Sequence, residues 1–272
     1  MSLRQYSDED VKQDLKSFFL DINHWAYEYG SPTPLCNADS PYYRKQIEVL
    51  FESKYQHWVT DRAVTSLVEE GFLHERPYQL PDFEISFVYR YNLRRIAMAI
   101  RERVGITRRY SDVSVSRATG DQAEFWALYL FKSNSFQIVD KHTNEYQGIM
   151  WTKTGHDLDF IMKKDGIVYG VEVKNKFPYV DDDLFDINLD ICRHLHLKPL
   201  FFFRMASYLQ IKKAKKQDGK VIVFKSKIFP PGNEQLVNDI WNKMRLPVSI
   251  WKDVPQPITE SLLTYHQSAK KD

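Results

Sequence analysis

Asp159, Glu172 and Lys174 are the residues whose types and spacing best suit this chain to chemistry. They fall in two segments, 155–162 and 167–176, which read as adjacent strands of a hairpin. The turn-like Lys163-Lys164-Asp165-Gly166 joins them. Side chains alternate along a strand, so Glu172 and Lys174 share one face while Val171 and Val173 point the other way. An acid and a base on one face, beside a second acid on the neighbouring strand, is costly unless charge is needed there. A divalent metal supplies the need: Mg²⁺ prefers carboxylate oxygens, keeps several waters and binds phosphate. The lysine is then placed to orient or activate water for attack on phosphorus.

At these residues the chain resembles the PD-(D/E)XK nuclease superfamily, which includes restriction endonucleases and Holliday-junction resolvases. Asp159 matches the acid that opens the motif, Glu172-Val173-Lys174 matches its (D/E)XK part, and Leu158 stands where the nominal proline would be. The order of elements strengthens the match. Segment 120–131 reads as a helix with apolar residues at helical spacing and Asp121 near its start. Segment 136–140 is strand-like, and the hairpin follows. In 183–197, Leu184, Ile187, Ile191 and Leu195 recur at helical spacing, although Asn188 falls on the same face and weakens the stripe. The continuous apolar run 199–204 is typical of a strand covered on both faces. Helix, three strands, helix, strand is the core order of that nuclease fold. The resemblance covers 109–205 well and the rest of the C-terminal half loosely. It implies that Glu124, on the first helix, joins the site, and that Asp159, Glu172 and the Val173 carbonyl hold Mg²⁺, with Mn²⁺ as a substitute.

Other residues near the motif divide between function and surface. Asp157 shares the strand face of Asp159 and reads either as an accessory acid or as a surface residue. Lys176 continues the face of Glu172 and Lys174, as a phosphate contact or simply an exposed cation. His156 lies in the loop before the first strand, an ordinary place for a histidine. Cys192, His194 and His196 cluster on an expected helix, but helical spacing leaves His194 round the side and no fourth ligand is evident, so a zinc site is not expected.

Composition bounds the class. The 272 residues suffice for one large or two modest domains. A hydrophobic content of 43% with 27% charged residues is ordinary for a folded protein. No apolar run approaches the length that crosses a bilayer, so no membrane partner is expected. The polar first residues carry no secretion signal, and Cys36 and Cys192 are too few for a disulfide framework. A cytoplasmic protein is the expectation. Net charge is only +2, yet arginines concentrate at Arg101, Arg103, Arg108, Arg109 and Arg117, and lysines at Lys212, Lys213, Lys215, Lys216 and Lys220. Either group could neutralise backbone phosphates, and the lysines fit a solvated helix end equally well. No Gly-rich phosphate loop of the form GxxxxGK[ST] is present.

The N-terminal half reads as mainly helical. Helices are expected over 11–29, closed by the breakers of 30–35, over 43–55, and from Thr60 to a stop at Gly71. A strand follows over 84–91 and a helix over 93–104. Two helices, a loop and a strand resemble a winged helix-turn-helix, in which the helix from Thr60 would be offered to a major groove with Arg62 facing DNA.

The expected fold class is therefore α/β: a restriction-endonuclease-like mixed-sheet core flanked by helices (109–272), preceded by a mainly helical, winged-helix-like domain (1–108). The expected function is Mg²⁺-dependent endonucleolytic hydrolysis of DNA, with double-stranded DNA as the expected partner. Arg62, Arg108, Arg109 and Lys176 would contact nucleic acid, and cutting two strands with one site per chain calls for a homodimer. The alternatives are a DNA-binding protein with a non-catalytic nuclease-like domain and an interaction subunit of a nucleic-acid-processing complex.

Overall fold

The computed structural model describes residues 7–20, 40–79, 84–90 and 96–270. Contacts divide the chain into two units, Met1–Tyr110 with Asp239–Leu246, and Ser111–Asn238 with Pro247–Asp272. The protein is mixed α/β, with a mixed sheet and flanking helices.

In the first unit, α1 (Asp8–Leu20) buries Val11, Leu15, Phe18 and Phe19, one stripe at helical spacing. The short β1 (Tyr42–Tyr43) leads into α2 (Arg44–Phe51), which is followed by α3 (His57–Glu69). Gly71, at φ 71°, turns the chain out of α3, where a side chain would meet the left-handed penalty. β2 (His74–Gln79) and β3 (Glu84–Tyr89) pair antiparallel, and with β1 they form a three-stranded sheet in the order β1-β3-β2. The segment 74–79 falls in the loop expected before the strand over 84–91, and it is a strand instead. As an edge strand, β2 tolerates Pro77, a residue with no N–H to donate. α4 (Ile96–Ser111) closes this part. The interior packs Phe18, Phe51, Ile47, Val64 and Leu67 together.

Polar residues tie the elements together. Arg44 donates to Asp61 (2.6 Å), to the Asp61 carbonyl (3.1 Å) and to Glu75 (3.1 Å), joining α2, α3 and β2. The buried Gln46 amide donates to the Met244 carbonyl, and Lys243 pairs with Glu102 at 3.1 Å. These bonds draw 239–246 into the first unit, which corrects the expectation of an uninterrupted C-terminal domain over 109–272. The expected boundary at 108/109 lies close to the division at Tyr110/Ser111, in the last turn of α4. The expected end of the first helix, at 29, and its breakers lie outside the described residues, as does Cys36.

In the second unit, α5 spans Val113–Ser133. It begins well before Asp121, with Asp112 as its cap, accepting from the Ser114 N–H at 2.8 Å. β4 (Gln137–Thr143) and the small hairpin β5 (Glu145–Tyr146) with β6 (Ile149–Met150) follow. β7 (Leu158–Lys164) and β8 (Ile167–Lys174) form the hairpin expected from the sequence. Asp165 (φ 51°) and Gly166 (φ 82°) make its tight turn, the left-handed pair that matches strand twist. The chain continues through α6 (Asp182–His194), β9 (Lys198–Phe203), α7 (Tyr208–Lys216) and β10 (Lys220–Val223). It ends with β11 (Lys227–Ile228), α8 (Glu234–Asp239), the π-helical turn Ile240–Met244, β12 (Val248–Ser249) and α9 (Gln256–Ala269). β11 and β12 pair in a separate parallel ladder.

The main sheet has the order β10-β9-β8-β7-β4. β8, β9 and β10 are parallel, while β7 and β4 join antiparallel. Helices cover both faces. Tyr169, Val171, Val173, Leu200 and Phe202 meet α5 and α9 on one side, whereas Ile161, Phe201 and Phe203 meet α6 on the other. Double coverage is why 199–203 is uniformly apolar.

Candidate active site

The acidic and basic residues converge where β7 begins and β8 ends. Phe160 pairs with Val171, so Asp159 lies one residue beyond that pair, opposite the end of β8 that carries Glu172 and Lys174. The Asp159 Oδ2 accepts the Val173 N–H at 2.6 Å, which fixes the carboxylate at the strand end. The Lys174 Nζ contacts the Glu172 carboxylate and lies 3.9 Å from the Asp159 Oδ2. Lysine and both acids thus share one small volume.

Glu172 is buried beneath α6 on the face that Gly170 also presents, with only 3% of its surface exposed. Burial, then repulsion from Asp159, pushes its carboxyl up to about 7 despite Lys174. Burial likewise raises Asp159, opposed by Lys174 and by the Val173 N–H. For Lys174 burial disfavours the ammonium, but Glu172 and Asp159 outweigh it and the net shift is upward. The Glu172 Oε2 is buried with no hydrogen-bond partner.

Glu124 sits on α5 and comes from the opposite face of the sheet. Burial, then the Asp159 charge, raises its carboxyl, and its Oε2 is 4.0 Å from the His142 Nε2. His142, on β4, went unnoticed in the sequence because β4 was expected to end at Asp140. Among the described residues no group of three or more His, Cys, Asp or Glu side chains is arranged to hold a metal ion. Glu124 therefore stands near the pair without completing a three-acid cage.

The remaining expected residues are scattered. Asp157, His156 and Lys176 are exposed. Arg62 pairs with Asp8 and lies over the Trp58 ring at 5.0 Å. Arg109 pairs with Asp239 at 2.6 Å, whereas Arg108 is exposed in the last turn of α4. Arg103 is buried and donates to the Ala99 carbonyl at 3.2 Å, so it does not belong to a phosphate-facing surface. Cys192 is fully buried against Gly170, and His194 bonds the Met150 carbonyl at 3.1 Å, consistent with a structural reading of both.

Two buried polar residues beside the site carried no signal that the sequence reading used. Asn175, the residue after Lys174, donates to the carbonyls of Thr119 and Ile228 at 2.7 Å each and accepts the Ile228 N–H at 2.9 Å. It ties the end of β8 to α5 and β11. Arg204, fully buried at the end of β9, donates to the carbonyls of Lys176, Phe177 and Lys225. It holds the turn that carries Lys176.

Comparison of the chain with protein-family models, with curated proteins and with solved structures finds no match in any of the three. No helix among the described residues is long and apolar enough to cross a membrane.

Proposed function

We propose that this protein is a metal-dependent DNA endonuclease of the PD-(D/E)XK type, with a winged-helix-like N-terminal unit. One observation carries the reading: the Lys174 ammonium lies against Glu172 and within 3.9 Å of Asp159 at a largely buried strand end. Structural ion pairs of this sort gain little over apolar packing once desolvation is counted. Two acids whose carboxyls are both pushed up by burial, beside one lysine, make sense as a site that expects a further cation.

The donor set fits Mg²⁺ or Mn²⁺. Both acids supply hard oxygen ligands, and the partnerless Glu172 Oε2 is an acceptor that the rest of the chain leaves unserved. Asp159 and Glu172 would hold the ion, with the Val173 carbonyl as a third ligand from the chain. When bound, the ion polarises a phosphoryl oxygen and lowers the pKa of a coordinated water. The Val173 N–H keeps Asp159 in place. Lys174 orients the attacking water and offsets charge that builds on phosphorus. Glu124 contributes negative charge from α5, and the exposed Lys176 is positioned for a backbone phosphate.

Support for the fold assignment comes from the order α5, β4, β7, β8, α6, β9 around a mixed sheet. In the first unit, the element order α1-β1-α2-α3-β2-β3 with the sheet order β1-β3-β2 supports the winged-helix-like reading. A groove-reading role for α3 would release Arg62 from Asp8.

The test is nicking of supercoiled plasmid by the full chain with Mg²⁺, with and without EDTA. Cleavage that EDTA stops is expected. Duplex binding without cleavage would replace this reading with a non-catalytic DNA-binding protein, and absence of both would favour an interaction subunit.

A further inference from the structure

His142 is the residue beside the site whose backbone its own strand does not explain. It lies within β4, between Lys141 and Thr143, which pair with Phe160 and Leu158 of β7. Yet its φ is 47°, in the left-handed region. Among the described residues, the other non-glycine residues of positive φ lie in turns or links, and none in the body of a strand. A side chain there meets a steric penalty that glycine escapes, and backbone of this kind gathers at functional sites.

The left-handed residue marks the place where the strand pair turns over. Residues two apart on a strand share a face, yet Phe160 packs on the α5 side and Leu158 on the α6 side. The reversal falls between them, at Asp159, and His142 stands opposite it in the register. Regular alternation from Lys141, the partner of Phe160, would send the His142 side chain to the α6 side. Instead its ring lies 6.2 Å from the Phe160 ring, and its Nε2 lies 4.0 Å from the Glu124 Oε2. The backbone has therefore re-aimed the imidazole to the α5 side, beside Glu124. The side chain is 60% exposed there, and neither ring nitrogen has a hydrogen-bond partner among the described residues. Packing does not hold it, and no internal bond uses it.

We infer that His142 is a further substrate-binding residue of the site, its imidazole donating an N–H to a phosphate oxygen of the bound DNA strand. The inference rests on the nuclease reading above. Asp159, Glu172 and Glu124 all repel an incoming phosphate, and the Lys174 ammonium is engaged by Glu172. A donor on β4 supplies an attraction on the far side of those acids. Nε2 faces Glu124, so Nδ1 is the nitrogen turned to the substrate. The neutral imidazole already carries one N–H, so the contact needs no change of charge.

Two variants of the full chain separate the donor from the backbone that aims it. His142→Gly removes the ring and suits a left-handed backbone. His142→Asn also tolerates that backbone and keeps an amide N–H close to the place of Nδ1. Affinity is read by anisotropy of a short labelled duplex in Ca²⁺, and turnover by plasmid nicking in Mg²⁺. His142→Gly should weaken duplex affinity about tenfold or more, the worth of one hydrogen bond to a charged oxygen. It should raise KM for plasmid by a similar factor with kcat changing less, and His142→Asn should recover most of the loss. Parental affinity in His142→Gly, or a His142→Asn protein no better than His142→Gly, overturns the inference. If the parent nicks plasmid and His142→Gly matches its KM, the nuclease reading stands and the inference falls. If the parent binds duplex without nicking and His142→Gly binds about tenfold less, the phosphate contact stands and the nuclease reading falls. A parent that neither binds nor nicks overturns both. His142→Ala takes the place of His142→Gly if the latter does not fold.

Discussion

Gly170→Ala is the perturbation whose cost can be worked most directly from the structure. An added Cβ would stand 2.6 Å from the Cys192 Sγ, 2.9 Å from the Leu158 Cδ1 and 3.3 Å from the Leu197 Cδ1. Favourable contacts lie at roughly 3.5–4.0 Å, so the two closest approaches overlap by about 0.6–1.4 Å. Overpacking of this kind costs about 1–3 kcal/mol. The smaller conformational entropy of unfolded alanine returns about 0.4–1 kcal/mol. The expected net loss is about 1–2 kcal/mol, or a Tm lower by roughly 2–8 °C. Cys192→Ala in the parent should itself cost about 1 kcal/mol, since it deletes a fully buried atom. In the Gly170→Ala background it relieves the worst clash, so the double variant should be about 1 kcal/mol more stable than the sum of the singles requires. Urea unfolding of all four proteins, followed by circular dichroism, completes the cycle. A Gly170→Ala protein as stable as the parent, or a Cys192→Ala cost equal in both backgrounds, would refute the close approach of α6 to β8.

Three further outcomes follow from the same geometry. Asn175→Ala removes three buried hydrogen bonds between β8, α5 and β11 and should cost about 2–4 kcal/mol, measured by urea denaturation; a loss below about 1 kcal/mol would show that the staple is dispensable. Hydrogen bonds from Lys270 and His266 pull the Asp165 carboxyl down to about 2, so its stabilising effect is present above about pH 4 and is lost as pH falls through 2. Asp165→Asn, which tolerates the left-handed turn, should flatten the acid limb of a stability–pH profile between those values, and an unaltered limb would count against the pairing. Lys174→Ala and Glu172→Ala should each abolish plasmid cleavage while duplex affinity stays within about twofold, since affinity comes mainly from phosphate neutralisation elsewhere; parental cleavage by either variant would remove that residue from the mechanism.

What the sequence determined by itself is the local grammar around the site. The Asp165-Gly166 turn fixes the hairpin register, and period-two alternation then puts Glu172 and Lys174 on one face with Val171 and Val173 on the other. The uniformly apolar 199–203 required cover on both sides, and α5 and α6 provide it. These are short-range consequences of backbone geometry, so they can be read from spacing alone. Other features depend on partners distant in the chain. β2 lies where a loop was expected, and only its place at the edge of the β1-β3-β2 sheet accommodates Pro77 in a strand. The division between the units falls at Tyr110/Ser111, in the last turn of α4, but nothing local foretells that 239–246 returns to the first unit through Gln46 and Met244. Asn188 weakened the apolar stripe of α6 on paper, yet it is buried in that stripe all the same. Whether a charge is solvated or buried decides its pKa and its cost, and burial belongs to the packed assembly of elements. The identities of Asp159, Glu172 and Lys174 were therefore legible in the sequence, whereas their shared low-dielectric environment was decided only when α6 closed over the sheet.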